Sequence, residues 1–114
     1  MDIKFRNPSL EKLANSARDL ARKFGSQVAR KVQIRLGMLA ASECLEDVSH
    51  LSPERRHELQ GSKKGQFAVD TTKTSGVRVV FKPNHDPVPV KEDGGVDLSK
   101  VTNIVIWDIG DYHD

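Results

Sequence analysis

The sequence predicts a small α+β domain in which a two-helix hairpin packs on a small antiparallel sheet, in the order β-α-α-β-β-β. Two observations carry this prediction. Apolar residues recur at three- and four-residue steps through the first half of the chain, and from Gln66 onward they follow the two-residue period of strands. At 114 residues, with 37% hydrophobic and 30% charged residues, the chain is expected to form one domain over residues 1–114 with one modest core.

The first half of the chain predicts one strand and two helices. Residues 2–6 alternate between apolar and polar side chains and indicate a short strand. Asn7 and Pro8 have the residue types of a helix cap and a first helical residue, and the amphipathic pattern after them continues to Gly25, which can end the helix. A second helix is expected over residues 26–42, and the short link between the two makes a helical hairpin.

The second half of the chain predicts three strands. Residues 44–64 contain turn signals and no sustained periodicity. Residues 66–72 and 77–82 are strand-like, and the four residues between them suit a hairpin loop. Residues 83–100 contain prolines and paired glycines, and we expect an irregular insertion there. Residues 101–109 form the strongest strand pattern, being almost continuously apolar.

Charge is distributed unevenly along the chain. Residues 1–82 carry 16 Lys and Arg against 9 Asp and Glu, whereas residues 83–114 carry 2 against 7. The basic part is sufficient to attract a polyanion, but solvation of the helices explains it equally well, so both interpretations stay open. The basic residues of the helices are expected mostly on their outer faces: Lys12, Arg18, Arg22, Lys23, Arg30, Lys31 and Arg35.

Cysteine content and hydropathy restrict the class of protein. The single cysteine, Cys44, excludes an internal disulfide framework and a cysteine-rich metal site. The N-terminal residues lack the apolar segment of a signal peptide, and no stretch approaches 18 apolar residues. The expectation is a cytoplasmic protein without a membrane partner.

Four segments carry residues suited to chemistry on RNA. His57 lies in Arg-His-Glu-Leu-Gln-Gly, two lysines follow at Lys63 and Lys64, and Arg78 lies within a strand pattern. The chain then ends in Trp107-Asp-Ile-Gly-Asp-Tyr-His-Asp. In this order and spacing, the segments resemble those of the HigB branch of the RelE/ParE toxin superfamily. Its members typically show a His-Pro-Leu-Lys-Gly segment, a Gly-Arg-Trp strand, a Trp-Arg strand and a terminal Asp-Tyr-His.

The resemblance implies a RelE-like fold and the toxin role in a type II toxin–antitoxin system. Such a toxin is a ribosome-dependent mRNA endoribonuclease that inhibits translation and is neutralised by a HigA-like helix-turn-helix antitoxin. Its partners are therefore that antitoxin, the ribosome and mRNA, with operator DNA reached only through the antitoxin. We expect no cofactor, and no metal, because a hard divalent ion needs converging carboxylates. By position, the resemblance assigns catalytic roles to His57, Asp111, Tyr112 and His113, and an RNA-phosphate contact to Arg78. Lys63 and Lys64 are further candidates for phosphate contacts because of their charge.

The residue types also suit metal-independent RNA cleavage on chemical grounds. The RNA 2′-hydroxyl is the nucleophile, and cleavage needs a base for it, an acid for the leaving oxygen and positive charge on the phosphate. Imidazoles, whose usual pKa is about 6.5, can do the first two near neutral pH. A carboxylate can fix an imidazole tautomer, Arg or Lys can hold a phosphate, and a tyrosine can stack on an extruded base.

Two positions depart from the family pattern. Gln60 stands where relatives usually have Lys, and Gln66 where they often have Arg. Stabilisation of the negative charge that develops on the phosphate is then either weaker or provided instead by Lys63 and Lys64. The sequence leaves both alternatives open. Two other functions also stay open: a ParE-like toxin that poisons DNA gyrase without RNase activity, and a non-catalytic RNA-binding module.

Overall fold

A computed structural model describes residues 1–111 of the chain. Its regular elements, in chain order, are β1 (Asp2–Phe5), α1 (Pro8–Ala14), α2 (Ala17–Phe24), α3 (Ser26–Ala41), β2 (His57–Glu58), β3 (Phe67–Asp70), β4 (Val77–Pro83) and β5 (Asn103–Asp111). Three short 3₁₀ turns lie at Leu45–Asp47, Gly61–Lys63 and Leu98–Lys100. No helix among the described residues is long and apolar enough to span a lipid bilayer.

The strands form one five-stranded sheet in the order β1-β5-β4-β3-β2. The four strands from β2 to β5 pair antiparallel, whereas β1 pairs parallel with β5. The predicted α+β class is therefore confirmed, with a mixed sheet in which β5 lies between β1 and β4. The sheet also has one strand more than expected, because the short β2 extends it beyond β3.

The predicted first helix is two helices. It breaks at Asn15 and Ser16, because Asn15 ends α1 and the Ser16 hydroxyl accepts a hydrogen bond from the Asp19 amide at 3.0 Å. This local cap offers the backbone an alternative to continuing the helix. The helical layer consequently contains three helices, in which α1 and α2 together occupy the place predicted for the first arm of the hairpin.

The helices cover one face of the sheet only. On that face, alternate residues of β3, β4 and β5, such as Val69, Val79 and Ile109, pack with Leu20, Val32, Leu39 and other apolar helix residues in the main core. The opposite face, called the open face below, carries a smaller apolar cluster of Leu59, Ala68 and Val80 against which Trp107 packs. Because side chains alternate along a strand, polar residues of the same parity also lie on the open face.

The predicted insertion at residues 83–100 is irregular in the structure. Within it, Val90 and Val96 form an isolated antiparallel bridge, and Asp97 caps the 3₁₀ turn at Leu98–Lys100. Val88 and Val90 are exposed. The segment ends where Val101 enters the core, directly before β5.

Candidate functional site

His57 lies in β2 opposite Ala68, which places it on the open face. Its ring Nδ1 is 2.8 Å from the backbone oxygen of Arg55. Because a carbonyl oxygen can only accept, Nδ1 carries the hydrogen of the neutral ring and Nε2 carries the lone pair. Nε2 is buried, and none of the residues 1–111 makes a hydrogen bond to it. This tautomer directs the Nε2 lone pair away from Arg55, and a substrate hydroxyl can reach Nε2 only after the atoms that cover it move.

Arg55, Asp70 and Arg78 form an ion-pair network on the same face. Arg55 contacts the Asp70 carboxylate through two nitrogens, with Nε 2.6 Å from Oδ2 and Nη2 3.2 Å from Oδ1. Arg78 places Nε 3.2 Å from Oδ1 of the same carboxylate. Asp70 and Arg78 face each other in the β3–β4 register, so the sheet itself sets this pair. One carboxylate thus holds two guanidinium groups and leaves the cluster with a net positive charge.

Arg35 fastens the end of β3 from the helical side. It is only 4% exposed, and its guanidinium donates to the backbone oxygens of Asp70, at 2.7 Å, and Thr71, at 3.3 Å. The prediction that Arg35 lies on an outer helix face is therefore wrong. The amphipathic pattern of α3 does not show that the carbonyl groups at the end of β3 lie beside Arg35. Those carbonyl groups accept the hydrogen bonds that allow the guanidinium to be buried.

Arg56 anchors the segment that carries Arg55 and His57. Its Nη1 donates to three backbone oxygens in the preceding loop, those of Leu45 at 3.1 Å, Glu46 at 3.3 Å and Val48 at 2.6 Å. Burial lowers the pKa of Arg56, against the opposing effect of the Glu46 carboxylate. The role of Arg56 is consequently to hold the irregular chain before β2 against the domain.

A second basic group lies on the open face near β1 and β5. Lys82 places Nζ 3.7 Å from the centroid of the Trp107 ring, and Arg6 places Cζ 5.1 Å from it. Both distances fit cation–π contacts. Trp107 is the extra residue of β5 where the β4–β5 register shifts, and its side chain packs against the apolar cluster of the open face. Positive charge and an aromatic ring on one sheet face are the combination with which proteins bind single-stranded RNA.

The two predicted lysines lie in the connection between β2 and β3. Lys63 ends the 3₁₀ turn at Gly61–Lys63, and Lys64 follows it and is exposed. Lys64 lines a groove of about 450 Å³ together with Glu58, Gly65 and the turn at residues 93–96 of the insertion. The Glu58 carboxylate accepts from the Gly65 amide at 3.0 Å, which fixes the shape of this connection.

Asp111 ends β5 and pairs with Val77. Val77 belongs to the main core, so this register directs Asp111 to the helical side of the sheet, away from the face of Arg78. Its carboxylate lies close to Gly76, where an added Cβ would come within 2.7 Å of Oδ1. The predicted catalytic residues Tyr112 and His113 lie outside the described residues.

The structure thus brings together two of the predicted site residues, His57 and Arg78, through Arg55 and Asp70. It places Lys63 and Lys64 in a neighbouring connection. The sequence analysis did not identify Arg55 and Asp70 as site residues, since a local pattern does not show that Asp70 lies opposite Arg78. Among residues 1–111, no three His, Cys, Asp or Glu side chains converge to hold a metal ion.

Solved toxin structures share this arrangement of helices and strands. A YoeB/ParE toxin from Agrobacterium tumefaciens matches with a TM-score of 0.57 and 8% identity, over 99% of this chain and 100% of its own. A YoeB-YefM complex from Staphylococcus aureus matches with a TM-score of 0.52 and 12% identity, over 100% of this chain and 98% of the matched chain. A heterotetrameric YoeB-YefM toxin–antitoxin complex from the same organism gives the same values. Neither a protein-family model nor a curated protein sequence matches the chain. The chain therefore has the α+β fold of YoeB/ParE-type toxins.

Proposed function

We propose that this protein is the toxin of a type II toxin–antitoxin system and acts as a ribosome-dependent mRNA endoribonuclease in the cytoplasm. The single observation that carries the proposal is the hydrogen bond from His57 Nδ1 to the Arg55 carbonyl, on the sheet face that also presents Arg78. It ties the ring of His57 to the residue whose guanidinium joins the Asp70–Arg78 ion pair. The fold shared with YoeB/ParE toxins and the basic, aromatic character of the open face add support.

The proposed reaction uses the RNA 2′-hydroxyl as nucleophile and needs no metal. After binding of RNA displaces the atoms that cover it, His57 Nε2 accepts the 2′-hydroxyl proton, the oxygen attacks the adjacent phosphorus, and the bond from phosphorus to the 5′-oxygen breaks. Arg78, with Lys63 and Lys64, stabilises the negative charge that develops on the phosphate oxygens. The sequence suggests His57 and His113 as the proton-transfer pair, and we propose His113, with the preceding Tyr112, for protonation of the leaving oxygen. Asp111 is directed to the helical side of the sheet, so the proposed step does not use it.

The proposed partner is an antitoxin encoded beside the toxin. The matched Staphylococcus proteins are described as a complex of YoeB with YefM, a toxin with its antitoxin. For this chain we propose an antitoxin of the HigA-like helix-turn-helix type, on the HigB-like order of its sequence segments. Contact with operator DNA is then made by the antitoxin.

Primer extension on an mRNA, with and without ribosomes, tests the proposal. The wild-type protein is expected to produce new 5′ ends only when ribosomes are present, and His57→Ala to produce none. His50→Ala is the matched control, because His50 is exposed in the loop before the Arg55 segment. Toxicity with inhibited DNA supercoiling and intact mRNA would indicate a gyrase poison. RNA binding without cleavage or toxicity would indicate a non-catalytic module.

A further inference from the structure

Arg55 adopts a backbone conformation that few L-residues occupy. Its φ is +46°, and no other non-glycine residue among those described has a positive φ. The left-handed region is sterically unfavourable for side chains with a Cβ, and such residues persist where the surrounding contacts over-determine them. The positive φ of Arg55 therefore indicates that specific contacts hold this residue, and those contacts identify the groups that it orients.

Contacts on both sides hold Arg55 in this conformation. Its amide donates to the Leu51 oxygen at 2.8 Å, and the oxygen of the preceding Glu54 accepts from the Asp70 amide at 2.8 Å. The following residue, Arg56, is bound by its side chain to the loop that contains Val48. The turn is thus fastened to β3 on one side and to the preceding loop on the other.

Arg55 contacts the proposed site in two ways, through its backbone carbonyl and through its guanidinium. Its carbonyl oxygen accepts from Nδ1 of His57, and its guanidinium makes the bidentate contact with Asp70. Asp70 in turn contacts Arg78. A single residue therefore links the imidazole on β2 to the guanidinium on β4, with β3 between them, and its backbone and side chain perform separable tasks.

We infer that Arg55 is the positioning residue of this site: its left-handed backbone sets the tautomer of His57, and its side chain, through Asp70, sets the place of Arg78. The inference deepens the proposed function and rests on it for the reaction, although its effect on His57 is measurable without RNA. With the carbonyl in place, the neutral ring keeps its hydrogen on Nδ1, which leaves Nε2 as the proton acceptor. Without the hydrogen bond to the Arg55 carbonyl, both tautomers of the neutral ring become populated. The tautomer with its hydrogen on Nε2 cannot accept a proton there.

Substitution by glycine and by alanine separates the two tasks. Glycine adopts a positive φ without steric hindrance, so Arg55→Gly keeps the carbonyl directed at His57 and removes only the guanidinium. Arg55→Ala keeps the Cβ that disfavours this conformation but loses the guanidinium contact with Asp70 that helps to hold it, so the left-handed conformation is less populated and the carbonyl is aligned with His57 only part of the time. Asp70→Asn leaves the Arg55 backbone unchanged and weakens the contact with both guanidinium groups. Arg18→Ala, at an exposed position of α2, is the arginine control.

The first measurement is the ¹⁵N chemical shift of each ring nitrogen of His57, in the full chain at a pH about two units above the usual histidine pKa. We expect wild type, Arg55→Gly, Asp70→Asn and Arg18→Ala to show the hydrogen on Nδ1. Arg55→Ala is expected to show averaged shifts from both tautomers. The same tautomer in Arg55→Ala as in wild type would overturn the role of the Arg55 backbone.

The second measurement is single-turnover cleavage of ribosome-bound mRNA. Arg55→Ala is expected to lower the rate by about 100-fold, the lower end of what a positioned general base supplies. Arg55→Gly and Asp70→Asn are expected to lower it by about tenfold, through loss of one charge-assisted contact, and Arg18→Ala should match wild type. Wild-type rates in both Arg55→Ala and Asp70→Asn would overturn the inference. A wild-type protein that does not cleave mRNA would instead refute the proposed function, while the nitrogen shifts would still decide how Arg55 acts on His57.

Discussion

Replacing the buried Arg35 with methionine tests how the helical layer holds the end of β3. Methionine retains most of the apolar stem but donates no hydrogen bond, so the Asp70 and Thr71 oxygens lose their side-chain donor. The 2.7 Å contact contributes about 2 kcal/mol and the longer 3.3 Å contact about 1 kcal/mol, as expected for hydrogen bonds from a charged group. Removal of a buried guanidinium offsets part of this loss. The expected net loss is about 2 kcal/mol in the free energy of unfolding.

Urea denaturation measures this loss directly. Arg35→Met should lower the denaturation midpoint with an unchanged slope, and its melting temperature should fall by about 8 °C for a domain of this size. The control is Arg30→Met, an exposed position on the same helix, where we expect a change within about 0.5 kcal/mol. If both variants unfold at the same midpoint, the contacts of Arg35 do not stabilise the end of β3, and the reasoning is refuted.

Three further predictions concern the helix surface, the end of the chain and the insertion. Charge reversal at Arg30 and Lys31 should weaken ribosome association and flatten its salt dependence, because fewer counterions are released; an unchanged slope would contradict a docking role. A chain stopped after Gly110 should still unfold cooperatively, about 1 kcal/mol less stable, and its mRNA cleavage should be undetectable in primer extension. The hydroxyl hydrogen bond from Ser99 lowers the pKa of Asp97 below its usual value. Asp97 therefore stabilises the fold above its unfolded-state pKa and loses this contribution as pH falls through its folded pKa, so Ser99→Ala should raise its NMR titration midpoint.

The type of most helices and strands could be predicted from the sequence, but the β3–β4 register, which places Asp70 opposite Arg78, could not. Strand patterns at 66–72 and 77–82 with a four-residue loop would pair Thr71 with Arg78. In the structure Asp70 pairs with Arg78, because the turn contains one residue more. A shift of one residue transfers a side chain to the other face of the sheet. Periodicity alone therefore identified Arg78 but could not reveal the carboxylate that faces it.

Other site features depend on contacts between distant segments, which local patterns do not encode. Arg55 lies in a stretch without periodicity, and its positive φ follows from hydrogen bonds to Leu51 and from the approach of Glu54 to β3. Arg35 has the spacing of a helix residue at the edge of an apolar stripe, where a charged side chain usually reaches solvent. Its burial follows from the position of β3 above it. The sequence indicates which side chains are suited to catalysis, whereas the contacts between distant segments determine which of these side chains lie close together.

The parallel pairing of β1 with β5 has a consequence for synthesis of the protein. Asp2 is paired with Asn103, about a hundred residues later in the chain. At translation rates of about 5–20 residues per second, β1 waits on the order of 5–20 s for β5, the strand with which it pairs in the described sheet. During this time β4 also has an unpaired edge, because β5 lies between β1 and β4. The nascent chain can form its helices and the β2–β3–β4 hairpins, but the sheet closes only after its last strand has been made. Closure of the sheet, and with it the placement of Trp107 on the open face, is thereby linked to synthesis of β5.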